Sequence, residues 1–159
     1  MRIGSGFDVH AFGPGSHVML AGIRVPHSRG VIAHSDGDVV LHALCDALLG
    51  AAGLGDIGSL FPSDDPELKG VSSVKLLREA YAQVRKRGYE LVNADVVLIG
   101  QEPKIAPMRE QMQSLLAGAL DVDQARVSVR ATTTDGLGFT GRGEGLAAQA
   151  VALLQSSSR

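Results

Sequence analysis

The chain has 159 residues, a formal net charge of -2 at pH 7 and one cysteine. That length suits a single domain with a buried core, and the near-neutral charge gives no electrostatic case for nucleic acid or a membrane surface. Cys45 forms no intrachain disulfide, which fits a reducing, cytoplasmic setting, and no apolar run is long enough to span a bilayer.

Residues 1–10 read as a strand thinned by glycine. Alternation puts Asp8 and His10 on one face and Phe7 and Val9 on the other. Asp-x-His alone is weak evidence, because edge strands often carry such pairs; a third ligand facing it would make it informative. Val18–Gly22 and Ile23–Pro26 predict two short strands around a turn at Gly22, flanked by His17 and His27 as exposed residues without a role. The N-terminus shows no basic-then-apolar signal pattern.

His34-Ser35-Asp36-Gly37-Asp38 opens a helix predicted from Asp38 to about Gly50. Val39, Val40, Leu41, Leu44, Leu48 and Leu49 make it apolar nearly all round, so it expects burial on most sides. Asp38, His42 and Asp46 recur every four residues and share one stripe. Carboxylates buried beside an imidazole need compensation. Two readings stay open: metal ligation, or an N-cap at Asp36 or Asp38 followed by His42 hydrogen-bonded to Asp46.

Leu54–Pro66 lacks periodicity and reads as a loop, with Leu60-Phe61 suggesting a lid and a plain surface connection as the alternative. A helix is predicted over 72–88, with Val74, Leu77, Tyr81 and Val84 as its stripe and Ser72 or Ser73 as its cap. Arg85-Lys86-Arg87 complement its dipole and Gly88 ends it. Leu91–Ile99 predicts a central strand interrupted at Asn93 and Asp95. Residues 101–107 form a connection carrying Lys104, and Pro107 starts a helix through Met108, Met112, Leu115 and Leu116. Asp121–Gln124 predicts a turn and Arg126–Ala131 a strand.

Thr132 to Gly145 holds three threonines before Asp135 and five glycines. Such backbone can approach a ligand closely and present N–H groups to phosphate oxygens. Asp135 does not favour bare phosphate, so a divalent cation between them is the consistent reading, against a flexible linker as the alternative. Leu146–Gln155 is ambiguous between helix and a strand buried on both faces. Low aromatic content (4%), no Trp and 20 glycines imply aliphatic packing, close backbone approach and help from oligomer contacts.

Asp8, His10 and His42 would supply one carboxylate and two imidazoles, leaving a fourth position open as in a catalytic zinc. A second cation near Asp135 and a glycine-threonine cradle point to phosphoryl chemistry. No Walker motif, dinucleotide fingerprint or nucleophile elbow is present.

With these residues assembled, the chain resembles the 2-C-methyl-D-erythritol 2,4-cyclodiphosphate synthase family. The matching stretches run in order: Arg2-Ile3-Gly4, Gly6-Phe7-Asp8-Val9-His10, His34-Ser35-Asp36-Gly37-Asp38, His42 with Asp46, and Leu54-Gly55-Asp56-Ile57-Gly58. Phe61-Pro62, Asp65-Pro66, Pro103-Lys104, Ala131-Thr132-Thr133-Thr134 and Leu137 through Gly145 follow.

The resemblance implies an α/β (α+β) fold over residues 1–159, a single domain whose mixed β-sheet is covered by helices on one side and faces the three-fold axis of a homotrimer. It implies that the last segment is a strand. The implied substrate is 4-diphosphocytidyl-2-C-methyl-D-erythritol 2-phosphate, whose 2-phosphate attacks its own β-phosphate and expels CMP, in isoprenoid precursor biosynthesis. Asp8, His10 and His42 match zinc ligands, and Asp135 a Mg²⁺ or Mn²⁺ site. His34, Ser35 and Thr133 match positions that hold phosphates, with His34 and Thr133 stabilising the transition state. Asp56, Ile57, Gly58 and the Phe61, Pro62, Ser63, Asp64, Asp65 loop match contacts to the methylerythritol phosphate. Gly100, Gln101, Glu102, Pro103, Lys104, Ile105 and Ala106, with Thr132, Thr133, Thr134 and Asp135, match a cytidine pocket supplied by the neighbouring subunit.

Phe7, Phe139, Arg142 and Glu144 would line a central cavity for an isoprenoid diphosphate, with an intersubunit Arg142–Glu144 ion pair as the alternative. Asp135 stands where the family commonly shows Glu, and Gly100 where Ala is frequent, the latter with little consequence expected. A zinc phosphodiesterase using Asp46 or Asp38 as base, and a non-catalytic trimeric binding module, are the competing functions.

Overall fold

The structure, a computed structural model, describes residues 1–158. Strand β1 (Arg2–Gly13) alternates as predicted, with Gly6 buried, Asp8 and His10 half-buried on the same face, and Ile3, Phe7 and Val9 exposed on the other. β2 (His17–Leu20) and β3 (Ile23–Pro26) form a separate hairpin. Its loop, Ala21-Gly22, holds both residues at positive φ, 52° and 79°, as a tight hairpin turn requires. His27 is not the exposed residue expected: its ring stacks on Phe12 with centroids 5.0 Å apart. β4 (Gly30–Val31), too short for any period to reveal, pairs with the end of β1.

Helix α1 (Val39–Ala52) begins where predicted, because the Asp38 carboxylate caps it by accepting from Leu41 N–H, and closes at Gly53 in the left-handed region (φ 69°). The 54–66 loop is more ordered than its sequence suggests. It contains a one-turn helix α2 (Ile57–Leu60), capped by Asp56, and leads into a 3₁₀ turn (Pro66–Leu68) capped by Asp65. Neither is long enough to register as periodicity. In α3 (Ser73–Lys86), Ser72 occupies the cap position without a side-chain bond.

β5 (Tyr89–Ile99) starts earlier than predicted, and a bulge between Leu91 and Asn93 absorbs the irregularity at Asn93. Pro107 falls in a 3₁₀ turn (Ala106–Met108) that feeds α4 (Arg109–Leu120). A second 3₁₀ turn (Gln124–Arg126) precedes β6 (Val127–Thr132). The glycine-threonine segment includes a one-turn helix α5 (Gly138–Gly141), and the ambiguous last segment is strand β7 (Gly145–Ser156).

The main sheet runs β4-β1-β7-β5-β6, parallel only between β5 and β6 and antiparallel elsewhere. β7 therefore bonds on both edges, and that ladder overrides the helix preference of its alanines. α1 lies on one face against β1, β7 and β5, with α3 beside it and α4 over β6. Leu41, Leu44, Leu48 and Leu49 of α1 are buried there, each worth about 1.5–3 kcal/mol relative to exposure. On the opposite face, which α1, α3 and α4 leave open, Ile3 and Phe7 stand 73% and 56% exposed. No helix among the described residues is long and apolar enough to cross a membrane.

The contact of β1 with α1 is made backbone to backbone. A Cβ on Gly6 would fall 1.9 Å from the Ala43 carbonyl oxygen, and one on Gly4 2.1 Å from that of Ala47. Exposed Gly118 of α4 meets nothing within 4 Å. Gly6→Ala is therefore expected to destabilise by about 1–3 kcal/mol or more, while Gly118→Ala stabilises by about 0.5–1 kcal/mol. Urea unfolding midpoints at matched protein concentration check both signs.

Candidate metal centre and its cavity

Asp8 and His10, two residues apart on β1, face the first half of α1, where His42 points back at them. Asp8 Oδ2 lies 3.0 Å from His10 Nε2 and 3.0 Å from His42 Nδ1, and the two ring nitrogens are 3.1 Å apart. These three donor atoms form a nearly equilateral triangle. A tetrahedral zinc with bonds of about 2.0–2.1 Å holds its ligand atoms roughly 3.3 Å apart, so the triangle fits one ion with a position left open.

Electrostatics point the same way. Burial by itself would raise the Asp8 pKa, but hydrogen bonds and charge from His10 and His42 more than reverse it and hold it at about 2. Burial would lower that of His42, but the Asp8 carboxylate draws a proton onto it and leaves its pKa above the ordinary 6.5. The site attracts positive charge.

The stripe expected from the spacing of α1 does not act together. Asp38 is fully buried and turned to the β2–β3 hairpin, accepting from Ala21 N–H (3.0 Å) and Gly22 N–H (2.7 Å) besides its cap bond to Leu41. Burial pushes its pKa up to about 6, against those backbone donors. Asp46 accepts from Ile57 N–H at 2.7 Å, tying α1 to the start of α2. Of the two open readings, the cap at Asp38 is right, but the partner of His42 is Asp8 and not Asp46.

Two neighbours of His42 went unseen in the sequence. His42 Nε2 lies 3.0 Å from both Ser35 Oγ and Ser73 Oγ, and Ser73 in turn donates to Asp36. Ser73 read only as a helix cap, and no spacing rule links residue 73 to residue 42.

His10, His34, Ser35 and His42 line one wall of a cavity of about 210 Å³, with Ile57, Gly58, Phe61, Pro62 and Ser63 on the other. His34 Nε2–H donates to the Asp65 carbonyl at 2.9 Å, pinning the loop. Asp56 and Asp64 are exposed and do not line this cavity. Gly100, Pro103, Lys104, Ile105, Ala106, Thr132 and Thr133 line a second cavity of about 200 Å³. Gln101 accepts from Thr134 N–H, Glu102 lies 3.7 Å from His27, and Thr133 donates to Asp135 at 3.3 Å. A Cβ at Gly100 would meet Leu146 Cδ2 at 2.5 Å, so the Gly-for-Ala difference touches packing. The exposed Arg142 pairs with Glu144 of the same chain at 2.6 Å, and Phe139 is exposed nearby.

The two cavities share no lining residue. β7 and β5 stand between β1 and β6, which puts the two halves roughly 14 Å apart at about 4.8 Å per strand.

A model of the YgbB family matches residues 1–155, which contain the triangle, both cavities and the glycine-threonine segment. The chain belongs to the YgbB family. It is 58% identical over 154 residues to the 2-C-methyl-D-erythritol 2,4-cyclodiphosphate synthase of Stutzerimonas stutzeri, covering 97% of this chain and 98% of that one. To the synthase of the same name in Salmonella typhimurium it is 55% identical over 159 residues, 100% of both chains. It is similar to the bifunctional IspDF from Campylobacter jejuni, with a TM-score of 0.95 and 47% identity, covering 99% of this chain and 42% of that chain. It also resembles a CDP complex of IspF from Plasmodium falciparum, with a TM-score of 0.86 and 32% identity over 99% of this chain and 97% of that one. The match of this YgbB chain to the two synthases covers 97% and 100% of its residues.

Metal binding at the triangle must displace the proton that Asp8 draws onto His42. Because the His42 pKa is raised, the competition begins above pH 6.5. Zinc affinity is expected to fall as pH is lowered from above that value through it, and competition titrations of metal-free protein on either side of pH 6.5 measure this.

Proposed function

We propose that this chain converts 4-diphosphocytidyl-2-C-methyl-D-erythritol 2-phosphate to 2-C-methyl-D-erythritol 2,4-cyclodiphosphate and CMP, as a cyclising phosphorus-oxygen lyase of non-mevalonate isoprenoid biosynthesis. The observation that carries the proposal is the Asp8, His10, His42 triangle at a cavity wall, in a chain similar over its full length to synthases of that name. A single domain spanning the chain, acting in the cytoplasm, is part of the same reading.

Asp8, His10 and His42 hold zinc, and Asp135 serves a Mg²⁺ or Mn²⁺, directly or through water. When bound, these ions supply Lewis acidity and positive charge to the diphosphate. The chain's own residues position the rest. His34, Ser35 and Thr133 hold the phosphates, with His34 and Thr133 favouring the charge of the transition state. Ile57, Gly58 and the Phe61–Ser63 segment enclose the methylerythritol half, with Asp56, Asp64 and Asp65 at its rim. The cavity lined by Gly100, Pro103, Lys104, Ile105, Ala106, Thr132 and Thr133 takes the cytidine, with Gln101, Glu102, Thr134 and Asp135 in the adjoining segments, in keeping with the CDP bound by the Plasmodium falciparum relative. Lys104 lies there to offset repulsion between phosphates. No general base is needed, because the attacking phosphate is already ionised. Ring closure is intramolecular, so holding the near-attack geometry supplies much of the acceleration, and the 61–71 loop keeps water out.

Two half-sites on opposite margins of the sheet need a second copy to close them. The uncovered sheet face, with Ile3, Phe7, Val9 and Val151 exposed, offers the surface for it, which supports a homotrimer with sites between subunits. A central cavity lined by Phe7, Phe139 and Arg142, open to an isoprenoid diphosphate, belongs to the same assembly.

Incubation with the cytidyl substrate and Mg²⁺ in oxygen-18 water, followed by phosphorus NMR and product mass, tests the reaction. Stoichiometric CMP with an unlabelled cyclic diphosphate is the expected result, whereas labelled open-chain phosphates would show a hydrolase. His42→Ala is expected to lower kcat roughly a thousandfold or more, equivalent to about 4 kcal/mol, with the assembly intact by light scattering. Dissociation of the assembly in that variant would make His42 a structural residue.

A further inference from the structure

We infer that Asp36 and Ser73 are positioning residues that lock the His42 ring with its Nδ1 lone pair toward the metal, and that Ser35 is thereby left free to meet a ligand in the cavity. This rests on the metal-binding reading above. An imidazole that ligates through Nδ1 carries its proton on Nε2, so that nitrogen needs an acceptor. Two hydroxyls compete for the one hydrogen, Ser35 Oγ and Ser73 Oγ, each at 3.0 Å.

Their surroundings break the tie. Ser73 is fully buried, and its hydroxyl hydrogen goes to Asp36 Oδ1, so its lone pairs are turned to accept from His42. Asp36 Oδ2 accepts from Ser73 N–H at 2.9 Å, and Oδ1 also takes Asp38 N–H at 3.2 Å. Both carboxylate oxygens therefore face donors, and neither can be replaced by an N–H. Ser35 has no carboxylate behind it. Its oxygen accepts from Gly37 N–H at 3.2 Å, and its residue lines the cavity wall whereas Ser73 does not. The Ser35 hydroxyl hydrogen, unable to point at a protonated Nε2, is available to an anionic oxygen in the cavity.

Asp36→Asn is the sharpest test. It is isosteric, yet whichever way its amide turns, an NH₂ meets a donor and the chain from Asp36 to His42 is misdirected. Zinc affinity of metal-free protein, measured by competition with a chromophoric chelator, is expected to weaken about 10–100-fold in Asp36→Asn and in Ser73→Ala. Ser73→Thr, which keeps the hydroxyl, restores it, and Ser35→Ala stays within a few-fold of wild type while raising KM. Thermal midpoints of the metal-free variants identify any that fail to fold, and Asp36→Asn carries the test if Ser73→Ala does. His42→Ala serves as reference. Loss of zinc in His42→Ala with wild-type affinity in Asp36→Asn and Ser73→Ala would overturn this inference and leave the metal reading standing. Equal losses in Ser35→Ala and Ser73→Ala would overturn the division between the serines. Unchanged zinc affinity in His42→Ala would overturn the metal reading itself.

Discussion

The absence of side chains at Gly4 and Gly6 is the constraint on which the rest of the molecule depends. Three donor atoms about 3 Å apart come from two elements, β1 and α1, and no local interaction within either can set that distance. It is set by how closely strand and helix approach. Backbone meets backbone along the Gly4–Gly6 and Ala43–Ala47–Ala51 seam, and the small residues of β7 beneath α1 let the helix settle evenly across the neighbouring strand. Each glycine in a strand costs roughly 0.5–1 kcal/mol of backbone entropy. That cost is the condition for bringing His42 within reach of Asp8.

Around His42 the chain gathers several carboxylates, and their partners separate their roles. Asp38 is satisfied by three backbone N–H groups, Asp36 by backbone and Ser73, and Asp46 by Ile57 N–H. Those three are held by donors of their own chain and act as fasteners. The partners of Asp8 are two imidazoles, groups that exchange a proton for a metal without rearrangement. A half-buried carboxylate facing two such rings, and not backbone amides, marks a place for an exchangeable cation.

Much of this was legible beforehand where the information is local. The two-residue period placed Asp8 and His10 on one face, the apolar run predicted α1, and residue type offered Asp36 or Asp38 as its cap, of which the structure selects Asp38. What was not legible required knowing what lies across a gap. Asp8, His10 and His42 group as a ligand set in the sequence and do meet, whereas the turning of Asp38 toward Ala21-Gly22 and the reach of Ser73 across from α3 are long-range contacts without sequence periodicity. The alanines of β7 gave contradictory local signals, and only its position between β1 and β5 decides for strand. The short helices α2 and α5 fall below the length at which any period can be read.

The place of β7 also governs how the chain reaches this state. It follows every other strand in sequence yet lies between β1 and β5, with Arg2 paired to Leu154. Synthesised from the N-terminus, β1 and β5 can each fold against their helices early, but they do so with unpaired edges turned toward a gap. Loop-closure entropy makes such a late, sequence-distant pairing slow. Until β7 arrives, those edges are templates for any extended segment, including the same strand of a neighbouring nascent chain. A sheet formed without its middle strand would thus be the species most exposed to edge-to-edge pairing, and docking of the twelve-residue β7 closes both edges at once.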